Sequence, residues 1–181
     1  MQKILIVLLL SITFMNGSNG ENILKDNFTN KNEWTYVADN VMGGVSKGGV
    51  EFNSFDSDVY ALLSGDVSTK NNGGFIQIRR ELKNIDLSRA KSIRLYARGN
   101  NEKYYIFLRT TGTILPWQYY SHEFTVNDEY NEFIMPIKDF KKSGTLLAKQ
   151  INPKKITSVA IVAYGRDHIA EIYVKELEFI E

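Results

Sequence analysis

Past a short apolar start, the chain is written in brief runs of apolar residues alternating with polar ones, each closed by Gly, Asn, Asp or Ser. Residues 58–64, 74–80, 91–98 and 103–110 are four such runs, rich in the β-branched and aromatic residues that suit strands. No helical stretch separates them, so antiparallel pairing is expected. Four more runs follow at 119–126, 131–137, 156–164 and 169–180, with Pro136 where a strand end or edge tolerates it. Only residues 139–150 have the make-up of a short helix, and Gly144 weakens it. No internal repeat is visible. Short strands at regular spacing with turn signals predict an all-β protein, a jelly-roll β-sandwich of two sheets with four or five strands each.

Alternation also assigns faces. Along 75–79, Ile76 and Ile78 point one way and Phe75, Gln77 and Arg79 the other; along 104–109, Tyr104, Ile106 and Leu108 oppose Tyr105, Phe107 and Arg109. One face of each strand is core. The other mixes rings with polar and cationic groups, which fits a partly covered concave sheet, and equally an outer face with scattered arginines.

The 181 residues are 43% hydrophobic and 24% charged, ordinary values for one globular domain. Twenty-two basic residues against 21 acidic leave a net charge of +1, so no excess of positive charge exists to hold a nucleic acid. The start reads as an export signal. Lys3 precedes an apolar run over 4–14, broken only by Ser11 and Thr13, and Asn16-Gly-Ser-Asn-Gly20 follows. That run is too short to span a bilayer, and it offers no polar face or turn that would suit a first strand or helix. Residues 1–20 are therefore expected to be a signal peptide and 21–181 a single domain, periplasmic or extracellular, with no stable membrane anchor after cleavage. There is no cysteine and histidine occurs only at 122 and 168. Disulfides, thiol nucleophiles and multi-histidine or cysteine metal sites are thereby excluded, and no cofactor is expected.

Three stretches carry possible chemistry. Gly44-Val-Ser-Lys-Gly48 has the G-x-S-x-G form of a nucleophile elbow, but strand-like Val50-Glu-Phe52 follows where a helix is required. Ser46 is better read as part of a glycine loop with positive φ or close backbone approach at Gly43 and Gly44. Asn53 with Asp56-Ser-Asp58 offers oxygen ligands for Ca²⁺, but the spacing is not that of a known calcium loop and a solvated turn fits as well. No particular pair of carboxylates suggests a glycosidase. Pro116-Trp-Gln-Tyr-Tyr-Ser-His122 gathers Trp117, Tyr119, Tyr120 and His122 just before a strand. These rings can stack on sugars, anchor a protein partner, or cap the core.

Taken in order, Trp34, Asp39-Asn-Val-Met42-Gly43-Gly44-Val-Ser46, Gly65-Asp-Val-Ser68, Asn71-Asn72-Gly73-Gly74-Phe75 and Arg79 resemble the signature of the complex I intermediate-associated protein 30 family. Arg98-Gly99, Tyr104 to Thr110, Phe133 to Pro136 with Phe140, and Glu176-Leu-Glu-Phe-Ile180 continue the likeness, which covers about residues 25–180. It departs at Tyr130 or Phe133, where the family usually carries tryptophan. The resemblance implies a galactose-binding-domain-like jelly roll and a chaperone or assembly-factor role for NADH:ubiquinone oxidoreductase, without catalysis. An exported chain would meet a different client.

The expectation is an exported, non-catalytic binding domain that holds a protein client through a sandwich face or loop rim. The alternative is a carbohydrate-binding module using Trp117, Tyr119, Tyr120 and a polar sheet face, and the third choice a hydrolase using Ser46. Asp39, Arg79 and Arg109 are expected to cluster on one sheet face, where a carboxylate would answer the two guanidiniums. The signal peptide makes a direct prediction. Protein recovered from its native host should have an intact mass lacking about residues 1–20; a mass retaining Met1 in cytosolic protein would contradict it.

Overall fold

A computed structural model describes residues 22–53 and 59–181. The expected leader over 1–20 and the candidate calcium ligands Asp56 and Asp58 lie outside the described residues. Two six-stranded sheets face each other, and every ladder is antiparallel. The first sheet contains β1 (Asn22–Asp26), β3 (Lys47–Asn53), β4 (Tyr60–Val67), β6 (Ser92–Gly99), β9 (Asn131–Pro136) and β12 (His168–Ile180). Its order is β3-β4-β12-β6-β9, with β1 also on β12. The second contains β2 (Trp34–Ala38), β5 (Phe75–Glu81), β7 (Lys103–Thr110), β8 (Tyr120–Thr125), β10 (Lys141–Lys142) and β11 (Ile156–Tyr164), in the order β10-β8-β7-β11-β5-β2. This is the all-β jelly-roll sandwich that the strand spacing predicts, with six strands in each sheet where four or five were expected.

The eight predicted runs all become strands, within a few residues at their ends. Pairing is less local than their order suggests: β4, β5, β6 and β7 alternate between the two sheets, so none of these neighbours in sequence pairs with the next. Each instead lies beside β11 or β12, which form late in the chain and sit inside the sheets. The stretch 139–150, the one with the make-up of a short helix, forms no α-helix. A 3₁₀ turn at Ile137–Asp139 leads into β10, which pairs with β8. Gly144 interrupts the segment after β10, and the Lys142 ammonium donates to the carbonyls of Thr145 and Leu147.

Ile76, Ile78, Ile106, Leu108, Val159 and Ile161 of the second sheet meet Leu63, Ile93, Leu95, Ile172, Val174 and Phe179 of the first, all fully buried. Burying each such side chain contributes roughly 1.5–3 kcal/mol, which explains how the domain folds without disulfides. In β12 the apolar residues packed in the core change from even positions (Ala170, Ile172, Val174) to odd (Leu177, Phe179). A register shift between Val174 and Glu176 inserts the extra residue that re-aims the strand. The assigned faces hold: Ile76, Ile78, Tyr104, Ile106 and Leu108 are core, and Phe75, Gln77, Arg79, Tyr105, Phe107 and Arg109 face outward.

Candidate functional site

A groove of about 760 Å³ lies over the outward face of the second sheet. Its floor follows from small residues on β11. Ser158 sits between Glu81 and Arg109, and Ala160 between Arg79 and Phe107, in consecutive cross-strand rows. Small side chains on the central strand with large ones on both neighbours leave a trough along β11. Gln77, buried, forms part of the floor, and Tyr164 closes one end against Phe75, its cross-strand partner.

One wall comes from the glycine loops. The 3₁₀ turn Asp39–Met42 presents Val41 and Met42, both more than half exposed, and Asn72 and Gly73 stand beside them. Asp39 holds this wall in place and is itself wholly buried. Its Oδ1 accepts from the Ser46 amide at 3.0 Å. Its Oδ2 accepts from the Ser46 hydroxyl at 2.5 Å, the Gly74 amide at 2.6 Å and the Phe75 amide at 3.3 Å. The Ser46 hydroxyl oxygen accepts in turn from the Ser68 amide at 2.9 Å. Two glycine-bearing motifs therefore meet at one carboxylate, and the third joins them through the Ser46 hydroxyl. A Cβ on Gly44 would overlap the Asp39 carboxyl carbon and one on Gly73 its Oδ2, so only glycine lets the chains close around it. Gly43 takes the left-handed conformation at φ 88°, with open space around it. Burial acts to raise the Asp39 pKa, but the hydrogen bonds from Ser46, Gly74 and Phe75 outweigh it and hold the carboxyl below its ordinary 3.8.

The other wall is the loop between β7 and β8, which carries Trp117. The Arg109 guanidinium donates to the carbonyls of Thr113 and Leu115, both at 3.0 Å. Gln118 accepts from the Leu115 amide, and the Ser143 hydroxyl bonds Tyr119 and Trp117 backbone. Trp117 is 62% exposed. Tyr119 stacks on Phe107 with ring centroids 3.9 Å apart and planes 7° from parallel, and Tyr164 meets both rings edge-on. Burial and neighbouring Tyr164 push the Tyr119 phenol up, so its hydroxyl stays protonated.

The expectations for Asp39, Tyr120 and His122 need correction. Asp39 does not join the arginines, because four donors from its own loops already satisfy it. Arg79 and Arg109 do share the outward face, one row apart. Tyr120 turns inward opposite Leu108, and its hydroxyl reaches the Ala148 carbonyl. His122 lies outside the groove against Phe140, at 5.3 Å. Trp34 is buried on Phe28 and donates to Asp26. Ser46 is inaccessible, spent on Asp39 and Ser68, and no helix follows it. Sequence reasoning did not single out Tyr164, Ser158 or Val41 as groove residues. The same alternation that placed Phe107 and Gln77 would have found the first two.

The sequence profile of complex I intermediate-associated protein 30 matches residues 24–171. The chain belongs to that family. A search by sequence among curated proteins finds no match. Among solved structures, the family 11 carbohydrate-binding module of a cellulosomal cellulase of Clostridium thermocellum superposes with a TM-score of 0.71 at 13% identity, over 90% of this chain and 94% of that one. The same organism's family 11 module in complex with a β-1,3-1,4-mixed-linked tetrasaccharide also gives 0.71, at 16% identity over 91% and 97%. A CBM4 structure gives 0.52 at 15% identity over 89% and 95%. These likenesses establish a shared jelly-roll fold.

The Asp39 knot predicts acid sensitivity. A carboxyl whose folded pKa is depressed contributes stability above its unfolded pKa of 3.8 and loses it as pH falls through the folded value. Asp39→Asn puts an NH₂ donor among donors and should cost about 2–4 kcal/mol at neutral pH, or roughly 5–15 °C in Tm. The gap between variant and wild type should narrow as pH falls below 3.8 and through the lowered folded value. Thermal melts across pH check this, and a Tm gap that does not change with pH would contradict it. Gly44→Val should lower Tm as well, through overlap with the same carboxylate.

Proposed function

We propose that this chain is a non-catalytic binding domain that holds a sugar chain in the groove over β5, β11 and β7. A sugar site needs an aromatic platform beside hydrogen-bonding side chains, set in a cleft. Exposed Trp117 and the Phe107–Tyr119 stack, lining one groove with Gln77, Asn72 and Arg79, supply that combination and carry the reading. The jelly roll held in common with carbohydrate-binding modules agrees with it. The leader over 1–20 suits a domain exported to where polysaccharides are met, periplasmic or extracellular. Burial of Ser46 leaves the elbow-like motif without a nucleophile to offer, which supports the non-catalytic assignment.

A protein client, such as an assembling complex of the kind the family name indicates, is the second reading. The exposed apolar side chains Val41, Met42 and Ile114 near the groove favour it.

Trp34 is buried and Trp117 is exposed, so intrinsic fluorescence separates the two indoles. Titration with a panel of plant, algal and microbial oligosaccharides, the mixed-linked glucan tetrasaccharide included, should change the emission of Trp117 for at least one member. Trp117→Ala should weaken that binding by roughly tenfold or more, as expected when an aromatic anchor is truncated. No response from the whole panel, with tight capture of an unfolded or assembling protein subunit instead, would favour the client.

A further inference from the structure

The chain has seven arginines, and six have a neighbour that satisfies them. Arg80 pairs with Asp26 and Glu33, Arg89 with Glu181, Arg94 with Glu178, and Arg166 with Glu102. Arg98 lies 4.0 Å over the ring of Tyr173, and Arg109 is held by two carbonyls. Arg79 makes no ion pair, hydrogen bond or ring contact among the described residues, although it lines the groove and is partly buried. Glu81 shares its face and attracts it only at a distance, while Arg109, one row away, repels it. Burial first, and Arg109 second, press its pKa downward, yet a guanidinium keeps its proton at any physiological pH.

Among the described residues, the groove lining therefore contains two cations and no carboxylate. Arg109 spends its donors on carbonyls, which fix its position without neutralising its charge. Two like charges a row apart on a half-covered face are costly unless something answers them. Protein acids answer the adjacent Arg80, on the opposite face of the same strand, so the absence of a carboxylate at Arg79 is local to the groove.

We infer that the sugar bound in this groove is anionic, and that Arg79 receives its carboxylate or sulfate group beside the Trp117 and Tyr119 rings. This rests on the sugar-binding reading above and adds the ligand's charge to it. A guanidinium presents a planar fork that suits either oxyanion, and a carboxylate matches it in a bidentate manner. A uronic acid or a sulfated sugar chain meets both demands of the groove, with ring faces for the aromatics and an oxyanion for Arg79. An acidic peptide meets only the second.

Calorimetric titration of the full domain tests this with defined probes. These are tetragalacturonate and tetramannuronate, the carboxyl-reduced neutral form of each, a sulfated carrageenan tetrasaccharide, the mixed-linked glucan tetrasaccharide, and an octaglutamate peptide. At least one charged sugar should bind about tenfold or more tightly than its neutral counterpart. That advantage should shrink as salt rises from about 0.05 to about 1 M. Arg79→Gln should remove the difference, and Arg79→Lys should restore part of it, with unchanged melting curves showing that the fold is kept. Preference for the uronates over the carrageenan assigns a carboxylate, and the reverse a sulfate ester. Neutral sugars binding as well as charged ones would overturn the charge assignment and leave sugar binding standing. Octaglutamate bound through Arg79 with no sugar bound, or no binding by any probe, would overturn both.

Discussion

A carboxylate enclosed by protein needs several donors to offset the loss of water, and Asp39 finds them only where three separate loops come together. Ser46, Gly74 and Phe75 supply the hydrogen bonds, and Ser68 is drawn in through the Ser46 hydroxyl. Gly44 and Gly73 are the places where the loops come too close for any side chain. The requirement runs both ways: without the glycines the carboxylate could not be reached, and without the carboxylate the amides would be buried unpaired. The 3₁₀ turn that carries Val41 and Met42 is anchored by this contact, so one wall of the groove depends on it.

The groove owes its other features to the sheet. Ser158 and Ala160 keep the middle of β11 low while Arg79, Phe107 and Arg109 rise on both sides. Arg109 ties down the loop that carries Trp117, which makes it a builder of the site, whereas Arg79 has no structural duty among the described residues. Similar side chains one row apart thus separate into scaffold and candidate ligand contact according to what each can reach. The same fold can present a groove of quite different charge, because the lining comes from loops and outward positions that the core does not specify.

Much of this is legible in the sequence. Period-two alternation yields the strands, the buried faces and the outward set that includes Arg79, Phe107 and Arg109, because alternation depends only on local geometry. Sheet order is not legible: β11 and β12 are placed by contacts across most of the chain, and no local pattern marks which earlier strand each will join. The helical make-up of 139–150 is overridden for a related reason, since pairing of Lys141 and Lys142 with β8 is a tertiary event. For Asp39, charge complementarity points to arginine as the partner, whereas backbone amides next to glycines are invisible to a search for opposite charges. Tyr120 and Tyr119 look equivalent in the aromatic run. Alternation sends one to the core and the other to the groove, and only the position of the strand start decides which.

With the groove over β11 as the binding surface, Arg79 and Trp117 act on the same ligand. Side-chain NMR resolves both directly, through the Nε–H signal of Arg79 and the indole Nε1–H signal of Trp117, with the Trp34 indole as an internal reference. On addition of tetragalacturonate or the carrageenan tetrasaccharide, the Arg79 and Trp117 signals should move together and saturate at one ligand concentration while the Trp34 signal stays in place. Movement confined to residues on the first sheet, or a Trp117 response with Arg79 unmoved, would contradict this assignment.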